Sequence, residues 1–289
     1  MCSSDLLKLA RHPIQFFFNE TLGIYFEKEE QEIREFTLSS YDKARLSRLD
    51  PCLPFDELVM QAEAKGELPL WHFREVAKAA LEEEREMYKR GLEACGVDLK
   101  GLLTILLRED LQEPLEPLAG TLHLPALEAA MPDGRRVKIV GTLRGISLQG
   151  LLFHGRDKIE DLVKAWPAFL VFQCLSHPAL EEKKLLLTKA GKVKSLSIQD
   201  PLLALGRYLS YLEESERRMS PFLPRFAEAF LRKDGADLQK RLASLEKEIA
   251  ISGADPYLEW LFAREKKRDA EGMISRWSLL LCEAMDVLL

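Results

Sequence analysis

RVKIVGTLRGISLQGLLFHGRDKIEDLVKAWPAFLVFQC, residues 136–174, decides the fold. Its opening alternates with a period of two: Val137, Ile139 and Gly141 fall on one side, Lys138 and Val140 on the other. That period belongs to a β-strand with two different faces, so one continuous strand is expected as far as Ile146. Leu148–Phe153 reads as a second, short apolar strand. From Ile159 to Leu175 the period lengthens, and Leu162, Ala165, Trp166, Phe169, Leu170, Phe172 and Gln173 surround much of a helix. A helix coated in this way is expected to lie across a sheet. Pro167 within it predicts a kink or a new first turn, because proline has no N–H and crowds the turn before it.

Outward from this stretch, Gly120–Leu127 alternates as a strand and Met131-Pro132-Asp133-Gly134 is a turn. Lys184–Ile198 reads as a hairpin turning at Lys189-Ala190-Gly191-Lys192. Strand, strand, helix in that order is the heart of many metal-dependent nucleases. In those an Asp ends one strand and an Asp/Glu-x-Lys sits on the next, so that carboxylates hold Mg²⁺ against a phosphate. Here the Asp position is Arg144, and the carboxylate and lysine positions fall on Phe153 and Gly155. The expected class is α/β, with a PD-(D/E)XK restriction-endonuclease-like core: a small mixed sheet and a crossing helix, enlarged by helices on both sides. No catalytic residue, metal site or cofactor is expected. Asp98-Leu99-Lys100 and Glu182-Lys183-Lys184 match Asp/Glu-x-Lys, but such matches arise by chance in a charged chain and read as solvated loops. Asp157 and Lys158 are expected to cap the crossing helix. His123, His154 and His177 have no metal-ligand spacing.

The remainder is helical in pattern. Ser4 and Asp5 can cap a helix through Leu9, which His12-Pro13 ends or restarts. Phe16, Phe17, Phe18, Leu22 and Phe26 read as an aromatic core anchor. Asp50–Phe55 is a turn before a modest helix, which Gly66-Glu67-Leu68-Pro69 breaks. A strong helix spans about Phe73 to Leu92, with Glu82, Glu83, Glu84, Arg85, Lys89 and Arg90 on a solvated, salt-laced face, and Gly96 ends it. Leu102–Leu107 is too short an apolar run to assign. Asp200-Pro201 opens a helix at N-cap and N1, with Leu202, Leu205, Tyr208, Leu209 and Leu212 as its apolar stripe. Helices are further expected at 224–232, 237–249 and from 256 to the end, where the apolar run WSLLLCEAMDVLL should dock on the body or a partner. The whole, 1–289, is taken as one domain: N-terminal helices over 1–119, the sheet core 120–199 and C-terminal helices 200–289.

Composition narrows the function. The chain has 289 residues, 47% hydrophobic and 30% charged, which suits a folded core and excludes disorder. A net charge of −6 argues against nucleic-acid binding over the whole surface but leaves room for a local basic patch. Arg135, Arg136, Lys138, Arg144, Arg156 and Lys158 form one basic cluster in sequence, and Lys189, Lys192 and Lys194 another; both are DNA-backbone candidates. Five scattered cysteines without a C-x-x-C pair read as reduced and intracellular. Without a signal-like run or the roughly 18 apolar residues of a membrane span, a cytoplasmic protein is expected.

Residues 6–26, with His12-Pro13, an aromatic pair and Leu22-x-Ile24-Tyr25-Phe26, resemble the opening of the RecC C-terminal domain. RecC is the gamma subunit of exodeoxyribonuclease V, the RecBCD helicase–nuclease. The resemblance continues at Leu49-Asp50-Pro51, Gly66–Pro69, the hairpin of residues 185–193 and Asp255-Pro256-Tyr257-Leu258, covering nearly the whole chain. It implies the last portion of a longer subunit, without the helicase-like domains that precede it. It also implies RecB- and RecD-like partners, contact with double-stranded ends or forked DNA, and a role in assembly and strand guidance during break repair and recombination. The family is said to use a pin-like element from this region, and the 185–198 hairpin is a candidate. Two other readings compete: an active Mg²⁺-dependent exonuclease with displaced carboxylates, and a protein–protein adaptor that does not touch DNA.

Overall fold

Leu103–Arg108, the run that its own pattern left unassigned, is a central strand. In a computed structural model the strands in chain order are β1 (Leu103–Arg108), β2 (Thr121–Pro125), β3 (Leu127–Ala130), β4 (Arg136–Ile139), β5 (Gly141–Ser147), β6 (Gly150–Phe153), β7 (Lys184–Leu187) and β8 (Lys192–Lys194). The structure describes residues 2–26, 38–48, 53–115, 120–180, 182–220, 223–228 and 255–257. A six-stranded mixed sheet runs β2-β1-β5-β6-β7-β8, and β3 and β4 form a separate two-stranded ribbon. β1 is parallel to β2 and antiparallel to β5, β5 is antiparallel to β6, β6 is parallel to β7, and β8 returns antiparallel. The sheet therefore begins at Leu103, ahead of the 120–199 span expected for it.

The single strand expected from Arg136 to Ile146 is two strands in two different sheets. The chain turns at Gly141, whose φ of 122° is a conformation that a side chain disfavours. The start of the first helix occupies the bend. Ser3 N donates to Val140 O at 2.8 Å, Ser3 Oγ reaches Thr142 O at 3.4 Å, and a Cβ on Gly141 would lie 2.5 Å from that hydroxyl. Val140 thus spends its carbonyl on the helix and not on a continuing ladder.

The helices are α1 (Ser3–Arg11), α2 (Pro13–Phe16), α3 (Ser40–Ser47), α4 (Phe55–Ala64), α5 (His72–Ala94), α6 (Ile159–Cys174) and α7 (Pro201–Arg217). Three caps can be compared with expectation. At α7, Asp200 accepts from Leu203 N at 2.9 Å with Pro201 following, as its sequence predicts. At α1 the N-cap is Cys2, without a side-chain cap bond, in place of Ser4 or Asp5. His12 both ends α1 and caps α2, its side chain accepting from Gln15 N at 3.0 Å. A π-helical turn, Phe17–Thr21, follows α2. Of the aromatic anchor, Phe16 and Phe18 are buried, Phe26 packs partly against the core, and Leu22 is exposed. Sequence reading missed α3. Its N-cap Ser39 accepts from Asp42 N at 3.0 Å. The turn residues 50–52, the expected helix at 237–249 and all but residues 256–257 of the last one lie outside the described residues.

Both faces of the sheet are covered at β6 and β7, and alternation along these strands shows how. Leu185 and Leu187 of β7 enter the main core with Leu151, while Leu186 and Leu152 point the other way, to a cluster with Leu92, Cys95 and Val97 at the end of α5. On the main-core face lies α6, which buries Leu162, Val163, Ala165, Trp166, Phe169, Leu170, Val171 and Phe172 because α1 and α7 pack on it in turn. α6 continues through Pro167 without a new first turn. A satellite core of Leu46, Leu58, Val59, Ala62, Leu68 and Leu81 joins α3, α4 and α5. Beside it Arg85, expected on the solvated face of α5, is fully buried and donates from Nη2 to Leu53 O.

Candidate nucleic-acid interface

The topology brings the chemistry-bearing loops to one end of the sheet. β1, β2, β6 and β7 finish there, and β5 and β8 begin there. In open α/β sheets ligands gather outside the carboxyl ends of the strands. Here that end holds the β6–α6 loop, the β7–β8 turn and the first residues of β5. From β5 to β8 is three strand spacings, about 14 Å; Arg144 stands midway along β5, and the hairpin lysines on β8 and the turn before it.

Arg144 on β5 is exposed. Glu128 faces Lys138 at 3.9 Å, and Asp161 takes Arg156 Nε at 3.6 Å and Lys164 at 3.9 Å. On β6, Phe153 is half-buried against the core. Gly155 is buried beneath it: a Cβ at 155 would come within 2.5 Å of the Phe153 ring and 3.0 Å of Asp161 Cβ. A longer side chain at that point would have to displace the ring.

The nine basic candidates divide. Arg135 lies on the β3–β4 turn and is held by Asp133 Oδ2 at 2.6 Å and Glu213 Oε2 at 2.5 Å, with Arg136 and Lys138 on β4. Those two carboxylates push the Arg135 pKa up further. Arg156 and Lys158 on the β6–α6 loop, and Lys189, Lys192 and Lys194 on the hairpin, which sequence separates into two clusters, lie on neighbouring segments. One backbone and one side-chain bond bring the two loops together: Thr188 N donates to Phe153 O at 3.0 Å, and His154 Nδ1 meets Thr188 Oγ1 at 2.9 Å. Asp157 completes the junction, with Lys192 Nζ at 3.0 Å and Lys194 Nζ at 2.5 Å. The lysines, Lys194 foremost, hold its carboxyl below the usual carboxylate range. Asp157 is thus an ion-pair partner of the hairpin and not a cap; Lys158 is the N-cap of α6 but makes no side-chain cap bond. Asp161 instead accepts from Arg156 N at 2.8 Å.

Glu182 and Lys184 pair with each other at 2.7 Å. Lys183 turns inward, donating to Phe172 O at 2.8 Å and Leu175 O at 2.6 Å at the end of α6, over the Phe172 ring at 4.6 Å. Burial lowers its pKa to about 8. Asp98 precedes a 3₁₀ turn, Leu99–Gly101, that leads into β1. Among the described residues no three His, Cys, Asp or Glu side chains converge on a point that could hold a metal ion. No helix among them is long and apolar enough to cross a membrane. The roles of Asp157 and Lys183 carried no sequence signal, since Asp157 depends on the β7–β8 hairpin and Lys183 on how the chain returns past the end of α6.

This is a mixed α/β domain with a basic rim at one end of its sheet. Residues 3–235 match the RecC C-terminal domain, and the chain belongs to that family. Membership identifies it as a domain of a RecBCD-type subunit in DNA repair, with RecBCD partners. No curated protein matches the chain.

Proposed function

We propose that this domain is a non-catalytic, nuclease-like portion of a RecBCD-type subunit that helps assemble the complex and guides DNA during double-strand break repair and recombination. One observation carries the reading. Where a PD-(D/E)XK frame needs two carboxylates and a lysine, β5, β6 and the following loop offer an exposed guanidinium, a half-buried phenyl ring and a glycine under that ring. The order β5, β6, α6 and then a parallel β7 supports the frame itself. Basic residues of the same rim supply the DNA contact, as phosphate-following cations. The assembly half draws support from Leu70, Trp71, Phe73 and Val76 at the start of α5. These are exposed large apolar residues, with Trp71 83% exposed and at a positive φ of 54°. Such patches mark protein contact surfaces, and a RecB- or RecD-like subunit is the proposed occupant.

The test is a pair of assays on the full chain with end-labelled duplex and forked DNA. Binding that weakens with salt, without degradation in Mg²⁺ or Mn²⁺, is expected. Metal-dependent degradation lost on Glu182→Gln or Asp98→Asn would establish the exonuclease reading instead. Binding that is absent, or insensitive to salt, would favour the adaptor.

A further inference from the structure

Two lysines of β8 and one carboxylate of the β6–α6 loop form a charge cluster. Asp157 Oδ2 faces Lys192 Nζ at 3.0 Å and Oδ1 faces Lys194 Nζ at 2.5 Å. One anion whose two oxygens each receive a different ammonium is placed as the two non-bridging oxygens of a phosphodiester would be. The cluster is open to solvent: the Lys192 side chain is 61% exposed. Lys158 and Lys189 stand exposed nearby, with no ion pair among the described residues, and Arg156 leans on Asp161 at 3.6 Å.

We propose that Asp157 occupies the position of a nucleic-acid phosphate, and that DNA reaching this end of the sheet displaces it from Lys192 and Lys194. The inference rests on the reading of the rim as a DNA contact. The chain is acidic overall, at −6, and an internal carboxylate that must be exchanged weakens binding to free DNA further. Contact is then favoured where the assembled complex presents DNA at high local concentration. If Asp157 served only to order the hairpin, removing its charge would loosen the lysines and weaken binding. Displacement requires the opposite.

The experiment measures binding of the full chain to a fluorescent forked DNA across a salt series. Asp157→Asn is expected to bind roughly three- to tenfold more tightly than the parent, as expected for one nearby charge removed. Glu75→Gln makes the same change in net charge on an exposed residue near the far end of α5 and is expected to leave affinity unchanged. In a background of Lys192→Ala and Lys194→Ala the gain from Asp157→Asn is expected to vanish. If Asp157→Asn does not fold, Asp157→Ser carries the same comparison. Equal or weaker binding by the Asp157 variant overturns the proposal, as does an equal gain from Glu75→Gln or a gain that survives loss of both lysines. The two readings fail separately. If losing both lysines leaves the parent's affinity unchanged, the rim contact itself is wrong. If it weakens binding while Asp157→Asn brings no gain, displacement alone is wrong. No binding by any variant overturns both.

Discussion

His12 Nε2 lies 2.7 Å from Asp255 Oδ2, a bond spanning 243 residues. His12 Nδ1 already accepts from Gln15 N, so Nε2 carries the proton and donates. Asp255 Oδ1 takes Tyr257 N at 3.0 Å, and the Tyr257 hydroxyl donates to Asn19 Oδ1 at 2.8 Å while its ring stands edge-on to Phe18 and Phe26. The segment lies beyond residue 235, where the family match ends, yet it docks on the opening of that match. Asp255→Ala is expected to lower stability by about 1–3 kcal/mol, the range for a hydrogen bond to a charged group with its partner left behind. Tyr257→Phe is expected to lose about 1 kcal/mol. Urea unfolding followed by far-UV circular dichroism checks both, and unchanged midpoints would mean that the segment is not docked.

Gly91 lets α5 touch the hairpin turn. A Cβ there would sit 1.9 Å from Thr188 O, closer than any real contact, and backbone cannot swing aside as a side-chain tip can. Gly91→Ala is therefore expected to cost about 1–3 kcal/mol by overpacking, although alanine is the better helix former. A melting temperature equal to or above the parent's would show that α5 and the turn do not meet.

His154 gives the fold a pH dependence. Burial first, then the cations Arg48 and Lys189, push its pKa down to about 4 against the pull of Asp161. An unfolded histidine titrates near 6.5. The unfolded chain therefore takes up this proton first as the pH falls. Stability declines from about pH 6.5 to about pH 4, and this group adds no further loss below that. His154→Gln keeps a partner for Thr188 and cannot charge. Its urea midpoint is expected to fall less steeply than the parent's across that window, and parallel pH profiles would contradict the assignment.

Lys183 closes the C-terminal end of α6 from outside the helix. Lys183→Met keeps the stem over Phe172 but leaves Phe172 O and Leu175 O without this donor. A loss of about 1–3 kcal/mol is expected from the carbonyls, read as a lower thermal midpoint. A neutral result would mean that water replaces the ammonium.

The sequence alone determined which segments are strands and helices wherever period and turn chemistry act between near neighbours. Gly191 turned the hairpin, Asp200-Pro201 opened α7, Gly66 and Gly96 closed α4 and α5, and α6 carried its coat of apolar residues through Pro167. The basic residues of the rim were legible as types, and His12 and Asp255 were both visible within a resemblance. Tertiary structure decided everything that required two distant pieces to meet. Val140 gave its carbonyl to Ser3, so one apparent strand became two; Leu103–Arg108 became a central strand once it had neighbours on both sides; and Asp157 went to the hairpin lysines and not to its own helix. The physical reason is range. Backbone propensities are fixed over a few residues, whereas a carbonyl or carboxylate with several satisfiable partners is assigned only when packing has chosen which loops lie side by side.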